Sequence, residues 1–235
     1  MEALIITPVK DSLETTRKTI EAVSSSEINA NYLVFNDFSN AETKNYLDRA
    51  SEQHRFQLIH LEDITTNPSP NYKLILQKAY ELAIDENLPL ILIESDVIIQ
   101  PTTIRELLKA ASKLPNPGLV GAVTVDRSGN FNFPYAYINS ADTRVMKNRH
   151  SISFCCTLMT VEFLKSYNFY KLPPRKDWFD IYLSKQSRKK GFNNYLLTDI
   201  KVLHLPHSSR PWKQLKYTHP LKYYLHKILK RRDRI

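Results

Sequence analysis

The chain has 235 residues, 42% of them hydrophobic and 24% charged, which suits one α/β domain, or a domain with a short appendage, with a real core. No apolar run is long enough to span a bilayer, and the run Ala3–Ile6 behind Glu2 is too brief for a signal peptide. The net charge of +9 is concentrated at one end: Lys201–Ile235 carries ten Lys/Arg against the single acid Asp233, while the other 200 residues balance. Such a tail either attracts a polyanion, whether lipid headgroups, nucleic acid or a diphosphate, or is simply a solvated basic segment. The two cysteines, Cys155 and Cys156, are adjacent and poorly placed to bridge each other, which points to a reducing compartment.

In chain order, Ala3–Thr7 reads as a strand, Leu13–Val23 as a helix, Tyr32–Phe35 as a second strand and Ala41–Ser51 as a helix. Gln57–Leu61 is a third strand, Tyr72–Ile84 a long helix and Leu90–Glu94 a fourth strand. This βαβ alternation predicts an α/β domain with a mostly parallel central sheet flanked by helices. Beyond Gly121 the rhythm changes. Asp126–Asn139 is polar and aromatic, Ile152–Thr160 strand-like, Val161–Tyr167 a short helix, and Phe169–Lys176 a loop around Pro173-Pro174. Phe179–Lys190 reads as a helix stopped by Gly191, followed by short strands at Tyr195–Thr198 and Lys201–His204. In the tail Leu221, Tyr224, Leu225, Ile228 and Leu229 recur with helical spacing, with Lys227, Lys230 and Arg231 towards the other side.

In open sheets of this kind ligands sit at the carboxyl ends of the strands, which directs attention to Thr7-Pro8, Asn36-Asp37 and Glu94-Ser95-Asp96. The ordered set Ile-Ile-Thr-Pro-Val-Lys-Asp (5–11), Val-Phe-Asn-Asp-Phe-Ser-Asn (34–40) and Ile-Leu-Ile-Glu-Ser-Asp-Val (91–97) resembles the nucleotide-sugar motifs of family 2 glycosyltransferases. Any one of these motifs is weak, since any strand can end in a carboxylate; their order and spacing carry the resemblance. It implies a Rossmann-like GT-A domain over 1–212, with a nucleotide-sugar half (1–100), an acceptor half (101–212) and a basic tail (213–235).

A nucleotide diphosphate leaves poorly unless its charge is neutralised, and a hard divalent cation with oxygen ligands does this. Asp96, after an apolar strand, is the natural ligand. Glu94 points the same way across the pleat and reaches either the ribose or the metal; the family usually has Asp there. The resemblance makes Asp37 the contact to the nucleobase, with Pro8 shaping the wall beside it. It also offers Lys73, behind Asn67-Pro-Ser-Pro-Asn-Tyr, to the nucleotide. A plain turn or cap role is the alternative for Asp37, and a solvent-facing side chain the alternative for Lys73. His204, and second His207, match the family's metal-binding histidine after a late strand, consistent with Mn²⁺ or Mg²⁺ rather than zinc. Arg210 and Lys213 would close over the diphosphate. Thr7, Pro8, Asp37, Lys73, Glu94, Ser95 and Arg210 thus form the nucleotide-sugar set.

Lys176-Asp-Trp-Phe-Asp through Gly191-Phe192 resembles the acceptor-side motif, in which an acid opens a helix ending at a Gly-aromatic pair. Asp180 falls at that family's catalytic acid, with Asp177 one turn earlier; rhamnosyltransferase-like members carry two aspartates at this spacing. One carboxylate is needed to take the acceptor hydroxyl's proton, in a single displacement that inverts the anomeric centre. Asp180 is the first choice, and Asp177 serves either as base or as helix cap. Trp178 is a candidate for stacking on a sugar or for simple packing. His-Pro-Leu-Lys-Tyr-Tyr-Leu (219–225) is similar to the end of membrane-associated bacterial envelope-glycan transferases. A basic amphipathic helix there would meet an anionic leaflet, a second subunit or the body of the domain. The expected partners are a nucleotide-diphosphate sugar and a glycan or lipid-linked acceptor, with no nucleic acid. The expected place is the cytoplasm, or the cytosolic face of the inner membrane. A GT-A-like protein that binds glycan or nucleotide without turnover is the alternative. A nucleotidyltransferase is less well matched, because Pro8-Val-Lys-Asp-Ser is not a Gly-rich basic loop.

Overall fold

The computed structural model describes residues 2–28, 30–138, 145–147, 150–174, 178–205 and 219–229. Among the described residues nine strands form one mixed sheet: β1 (Leu4–Val9), β2 (Asn31–Asn36), β3 (Gln57–His60), β4 (Leu90–Ile93), β5 (Val97–Ile98), β6 (Pro117–Val125), β7 (Val145–Lys147), β8 (Cys156–Met159) and β9 (Asn193–His204). Their order is β3-β2-β1-β4-β8-β6-β9-β5, with β7 also on β9. Around the sheet lie α1 (Leu13–Ser24), α2 (Ala41–His54), α3 (Tyr72–Asp85), α4 (Thr103–Ala111), α5 (Val161–Ser166) and α6 (Phe179–Lys189), with α7 (Pro220–Leu229) near the end of the chain.

The strands of the first half are apolar on both faces because helices cover both. Ile5, Val34, Ile91 and Ile93 face one core with Ile20 and Val23 of α1, Leu47 of α2 and Leu107 of α4. Their neighbours Leu4, Ile6, Phe35, Leu90 and Leu92 face a second core with Ile75 and Leu76 of α3, Phe163 of α5 and Leu183 of α6. Period-2 alternation thus divides one hydrophobic run between two layers, the pattern of a doubly covered parallel sheet.

Strands β1 to β4 are mutually parallel where they pair, as the βαβ rhythm predicts. Beyond them β8 runs antiparallel to both β4 and β6, so the sheet as a whole is mixed. The two short strands expected near the end are one twelve-residue strand, β9, parallel to β6. Its pairing steps from Leu197 opposite Ala122 to Lys201 opposite Val123, so Thr198–Ile200 form a bulge. That bulge interrupts the alternation and reads as a break in the sequence. The Ile152–Thr160 strand shrinks to β8, because Ser153 and Ser184 take over the hydrogen bonding nearby: Ile152 N donates to Ser184 Oγ at 2.9 Å and Thr157 Oγ1 to Ser153 O at 2.6 Å.

α6 is pressed onto β6 through a glycine. A Cβ at Gly118 would lie 2.1 Å from Ser187 Oγ and 2.8 Å from Phe192 Cβ. Ser187 is not free to yield, since its Oγ donates to the buried Asn194 Oδ1 at 2.7 Å while Asn194 Nδ2 donates to Ser184 O at 2.8 Å. Gly118→Ala should therefore cost about 1–3 kcal/mol of stability through overpacking. Urea unfolding checks this, and an unchanged midpoint would show that α6 is not seated so closely.

Candidate functional site

The carboxyl ends of β1, β2 and β4 open on one side of the sheet. Thr7 is fully buried there and its Oγ1 accepts from Tyr32 Oη at 3.0 Å. Pro8 pairs in register with Phe35, and Asp37 N donates to Val9 O at 2.8 Å. Asp37 is only 5% exposed. Its Oδ2 accepts from Ser69 Oγ and Asn71 N, and its Oδ1 from Asn71 Nδ2, all at 2.8 Å. The carboxylate thus fastens the end of β2 to the loop before α3 and retains acceptor capacity for one further donor. Lys73, in the first turn of α3, is half-buried immediately beyond that anchor.

Glu94, Ser95 and Asp96 do not continue the pleat of β4. Val97 N donates to Glu94 O at 3.1 Å, closing a turn, so the extended pleat expected through Glu94 ends at Ile93. After the turn β5 pairs with the end of β9, Val97 opposite His204, and Leu205 N donates to Asp96 O at 2.8 Å. Asp96 and His204, 108 positions apart in sequence, are thereby set side by side: His204 Nε2 lies 3.5 Å from Asp96 Oδ2, with the residues 3% and 8% exposed. Asn132 Nδ2 holds the strand end by donating to His204 O at 3.1 Å. Asp96 Oδ1 is buried, and among the described residues no donor reaches it. An unsatisfied anionic oxygen beside an imidazole fits a divalent cation with mixed oxygen and nitrogen ligands. Among the described residues no group of three or more acids, histidines or cysteines surrounds a metal position, so substrate oxygens or water would have to complete such a shell.

Asp180 stands in the first turn of α6, its Oδ1 accepting from Ile181 N at 2.8 Å. Burial pushes its carboxyl up from the usual 3.8 to about 6, against the backbone amides that favour the anion. Two groups that sequence reasoning did not place at the site, Cys155 and Tyr72, join it to the Glu94–Asp96 turn, with Tyr135 close to Asp180. Cys155 Sγ donates to Glu94 Oε2 at 3.8 Å, and Glu94 N donates to Cys155 O at 3.1 Å. Burial and then the charges of Glu94 and Asp96 keep the Cys155 thiol well above its ordinary pKa, with Asp180 adding to the effect. Tyr72 is pushed up by burial and then by Glu94 and Asp180, and its ring stacks between Phe154 and Phe179 at 6.4 and 6.3 Å. Tyr135 accepts from Ser153 N at 2.8 Å and also lies within the field of Asp180. The available signal for these residues was Cys155 and Tyr72 beside apolar runs, which on its own reads as core. Trp178 is half-buried at the start of α6. Asp177, His207, Arg210 and Lys213 lie outside the described residues.

The architecture matches solved glycosyltransferases. The mannosyltransferase PcManGT from Pyrobaculum calidifontis, solved in complex with GDP-Man and Mn²⁺, aligns with a TM-score of 0.67 at 13% identity. The alignment covers 96% of this chain and 64% of that one, so the present chain spans less than two thirds of the mannosyltransferase. S. aureus TarS 1–349 aligns at 0.65 and 12% identity, over 98% of this chain and 73% of that one. Its complex with UDP-GlcNAc aligns at 0.63 and 12%, over 89% and 60%. No curated protein matches the sequence. The fold is GT-A, a central sheet with helices on both faces. The chain belongs to glycosyl transferase family 2, whose model, Glycosyl transferase family 2, matches residues 4–168.

The raised pKa of Asp180 makes a stability prediction. The folded state holds the proton more tightly than the unfolded chain, so ionisation costs stability as pH rises from about 4 to about 6. Asp180→Asn keeps the acceptor for Ile181 N without the buried charge. It should exceed the wild type by on the order of 2–3 kcal/mol at pH 8 and match it near pH 4. Denaturation across that range checks the sign; a variant less stable at pH 8 would mean that the carboxylate is well solvated or paired.

Proposed function

We propose that this chain is an inverting, metal-dependent glycosyltransferase that moves a sugar from a nucleotide-diphosphate sugar to an acceptor hydroxyl, in bacterial surface-polysaccharide or related glycan synthesis. The observation that carries this reading is a poorly solvated carboxylate, Asp180, whose pKa near 6 suits a general base and which acts on the same buried Cys155 thiol as Asp96, the neighbour of His204. Asp96 and His204 would hold Mn²⁺ or Mg²⁺, with His207 as a further candidate ligand. When bound, the cation neutralises charge on the departing diphosphate. The complexes of the two structural neighbours, one with GDP-Man and Mn²⁺ and one with UDP-GlcNAc, support the choice of donor class and metal.

Asp180 takes the proton of the acceptor hydroxyl as that oxygen bonds to the anomeric carbon. The bond from that carbon to the diphosphate oxygen breaks in the same displacement, the nucleoside diphosphate leaves with the electron pair, and configuration inverts. Thr7, Pro8 and Asp37 form the wall for the nucleoside. Asp37 serves it through the 67–71 loop that it pins and through its remaining acceptor capacity. Lys73, Ser95 and Arg210 complete the donor set. Glu94, restrained by Cys155, is assigned to the ribose or to the cation. Asp177 supports the base or caps α6.

Three outcomes test this assignment. UDP or GDP should bind only with Mn²⁺ or Mg²⁺ present, and Asp96→Ala should abolish that binding; calorimetry giving equal affinity in chelator would contradict it. Asp180→Asn should lower turnover by about a hundredfold to ten-thousandfold while sparing nucleotide affinity. The wild-type rate should fall as pH drops below about 6, where the base is protonated. Metal-dependent nucleotide binding with no transfer to any acceptor would instead favour a binding protein built on the same fold.

The basic end is assigned to a membrane surface. On α7, Leu221, Leu225 and Leu229 are 83%, 56% and 76% exposed, whereas Tyr223 is buried. An apolar helix face left in water, within a segment of charge +9, suits the interface of an anionic leaflet. Among the described residues no helix is long and apolar enough to cross a membrane, so the contact would be peripheral. Removing 221–235 should leave a folded protein that no longer sediments with phosphatidylglycerol vesicles; sedimentation unchanged by the deletion would contradict the assignment.

A further inference from the structure

The turn that carries Asp37 is held from β3, at the opposite end of the strand order from β5. Asn36, fully buried at the end of β2, pairs in register with His60. Its side chain bridges two groups: Ser39 N donates to Asn36 Oδ1 at 3.1 Å, and Asn36 Nδ2 stands 2.9 Å from His60 Nδ1. His60 Nε2 in turn lies 2.9 Å from Asp48 Oδ1 of α2.

One backbone amide sets the proton positions along this row. A backbone N–H can only donate, so the oxygen of Asn36 faces Ser39 and its NH₂ faces His60. That NH₂ is likewise a donor only, so His60 Nδ1 must accept and carries no proton. The ring is therefore neutral, with its proton on Nε2 and donated to Asp48. Turning the Asn36 amide over would set its NH₂ against the Ser39 N–H. Asn36 is out of reach of water that could replace either partner, so the row is fixed in one sense.

The turn needs that support. Phe38 has a φ of +57°, in the left-handed region that a residue with a Cβ occupies only when its surroundings hold it there. Its carbonyl accepts from Lys10 Nζ, Ser39 Oγ accepts from Asp11 N at 2.9 Å, and Asn36 Oδ1 closes the turn from inside. Asp37 sits between Asn36 and Phe38, and its carboxylate pins Ser69 and Asn71. We infer that His60 is a positioning residue for the nucleotide: a neutral ring accepting at Nδ1 fixes Asn36, and through it the aim of Asp37. The inference rests on the assignment of Asp37 to the nucleoside above and adds a residue that acts through it.

Nitrogen-15 NMR of the histidine rings tests the proton placement in the wild type. Near neutral pH the His60 ring, assigned by its disappearance in His60→Asn, should show a bare Nδ1 and a protonated Nε2; a proton on Nδ1 would overturn the inference. Calorimetry with UDP or GDP and Mn²⁺ tests the consequence. His60→Leu leaves the Asn36 NH₂ without its acceptor and should weaken nucleotide binding by about tenfold. His60→Asn also loses the ring and the Asp48 contact, but it offers an oxygen near the place of Nδ1, so it should stay within about threefold of the wild type. That rescue separates positioning from a general loss of packing, and with the ring spectrum it decides the matter even if His60→Leu does not fold. Unchanged affinity in His60→Leu, or a loss in His60→Asn of about tenfold or more, would overturn the role of His60 and leave metal-dependent nucleotide binding standing. Wild-type protein that binds neither nucleotide with metal would overturn the glycosyl-transfer reading, and the role of His60 with it.

Discussion

Two residue pairs of antiparallel ladder, Val97 with His204 and Ile98 with Leu203, hold the candidate site together. Without them the turn after β4 would end in a carboxylate with no imidazole near it. The ladder is short, and it is reinforced on both sides: Leu205 N donates to Asp96 O, and Asn132 Nδ2 to His204 O. Backbone hydrogen bonds fix both side chains through their own strands, so the pair inherits the rigidity of the sheet. The long strand β9 also packs against β6, and β6 receives α6 through the close contact at Gly118. Asp180 is thereby placed by the same strand that places His204.

The second constraint is electrostatic. Glu94, Asp96 and Asp180 all act on the buried Cys155 thiol, so three acids share a poorly solvated region. A carboxylate in such a setting is costly to ionise, and one response is to hold a proton, as the pKa of Asp180, raised by burial, records. The other is to bind a cation, for which Asp96 Oδ1 lacks a described donor. The two responses assign different chemistry to similar side chains: the carboxylate at the ladder suits a metal, and the one at the helix start suits a proton.

The fold was legible in the first hundred residues because burial on both sheet faces writes continuous apolar runs bounded by polar strand ends. Those same ends put Thr7, Asp37 and Asp96 in view, since ligands collect where parallel strands stop. The partners of Asp37 were not legible. Ser69 and Asn71 lie 32 and 34 positions away, and nothing in either residue announces a carboxylate. The strand end at Glu94 differs for a local reason: the chain turns where an extended pleat was expected. In the second half the bulge at Thr198–Ile200 divided one strand in two, and Cys155 and Tyr135 looked like ordinary core because their importance depends on what folds against them.

The central claim is that Asp96 and His204 together hold a divalent cation with the nucleotide. Pulsed EPR of Mn²⁺ bound with UDP or GDP to protein carrying ¹⁵N-labelled histidine addresses it at the metal itself. The account predicts a coupling from a histidine nitrogen that His204→Ala removes. A bound Mn²⁺–nucleotide complex with no histidine coupling, or with one that survives His204→Ala, would contradict it.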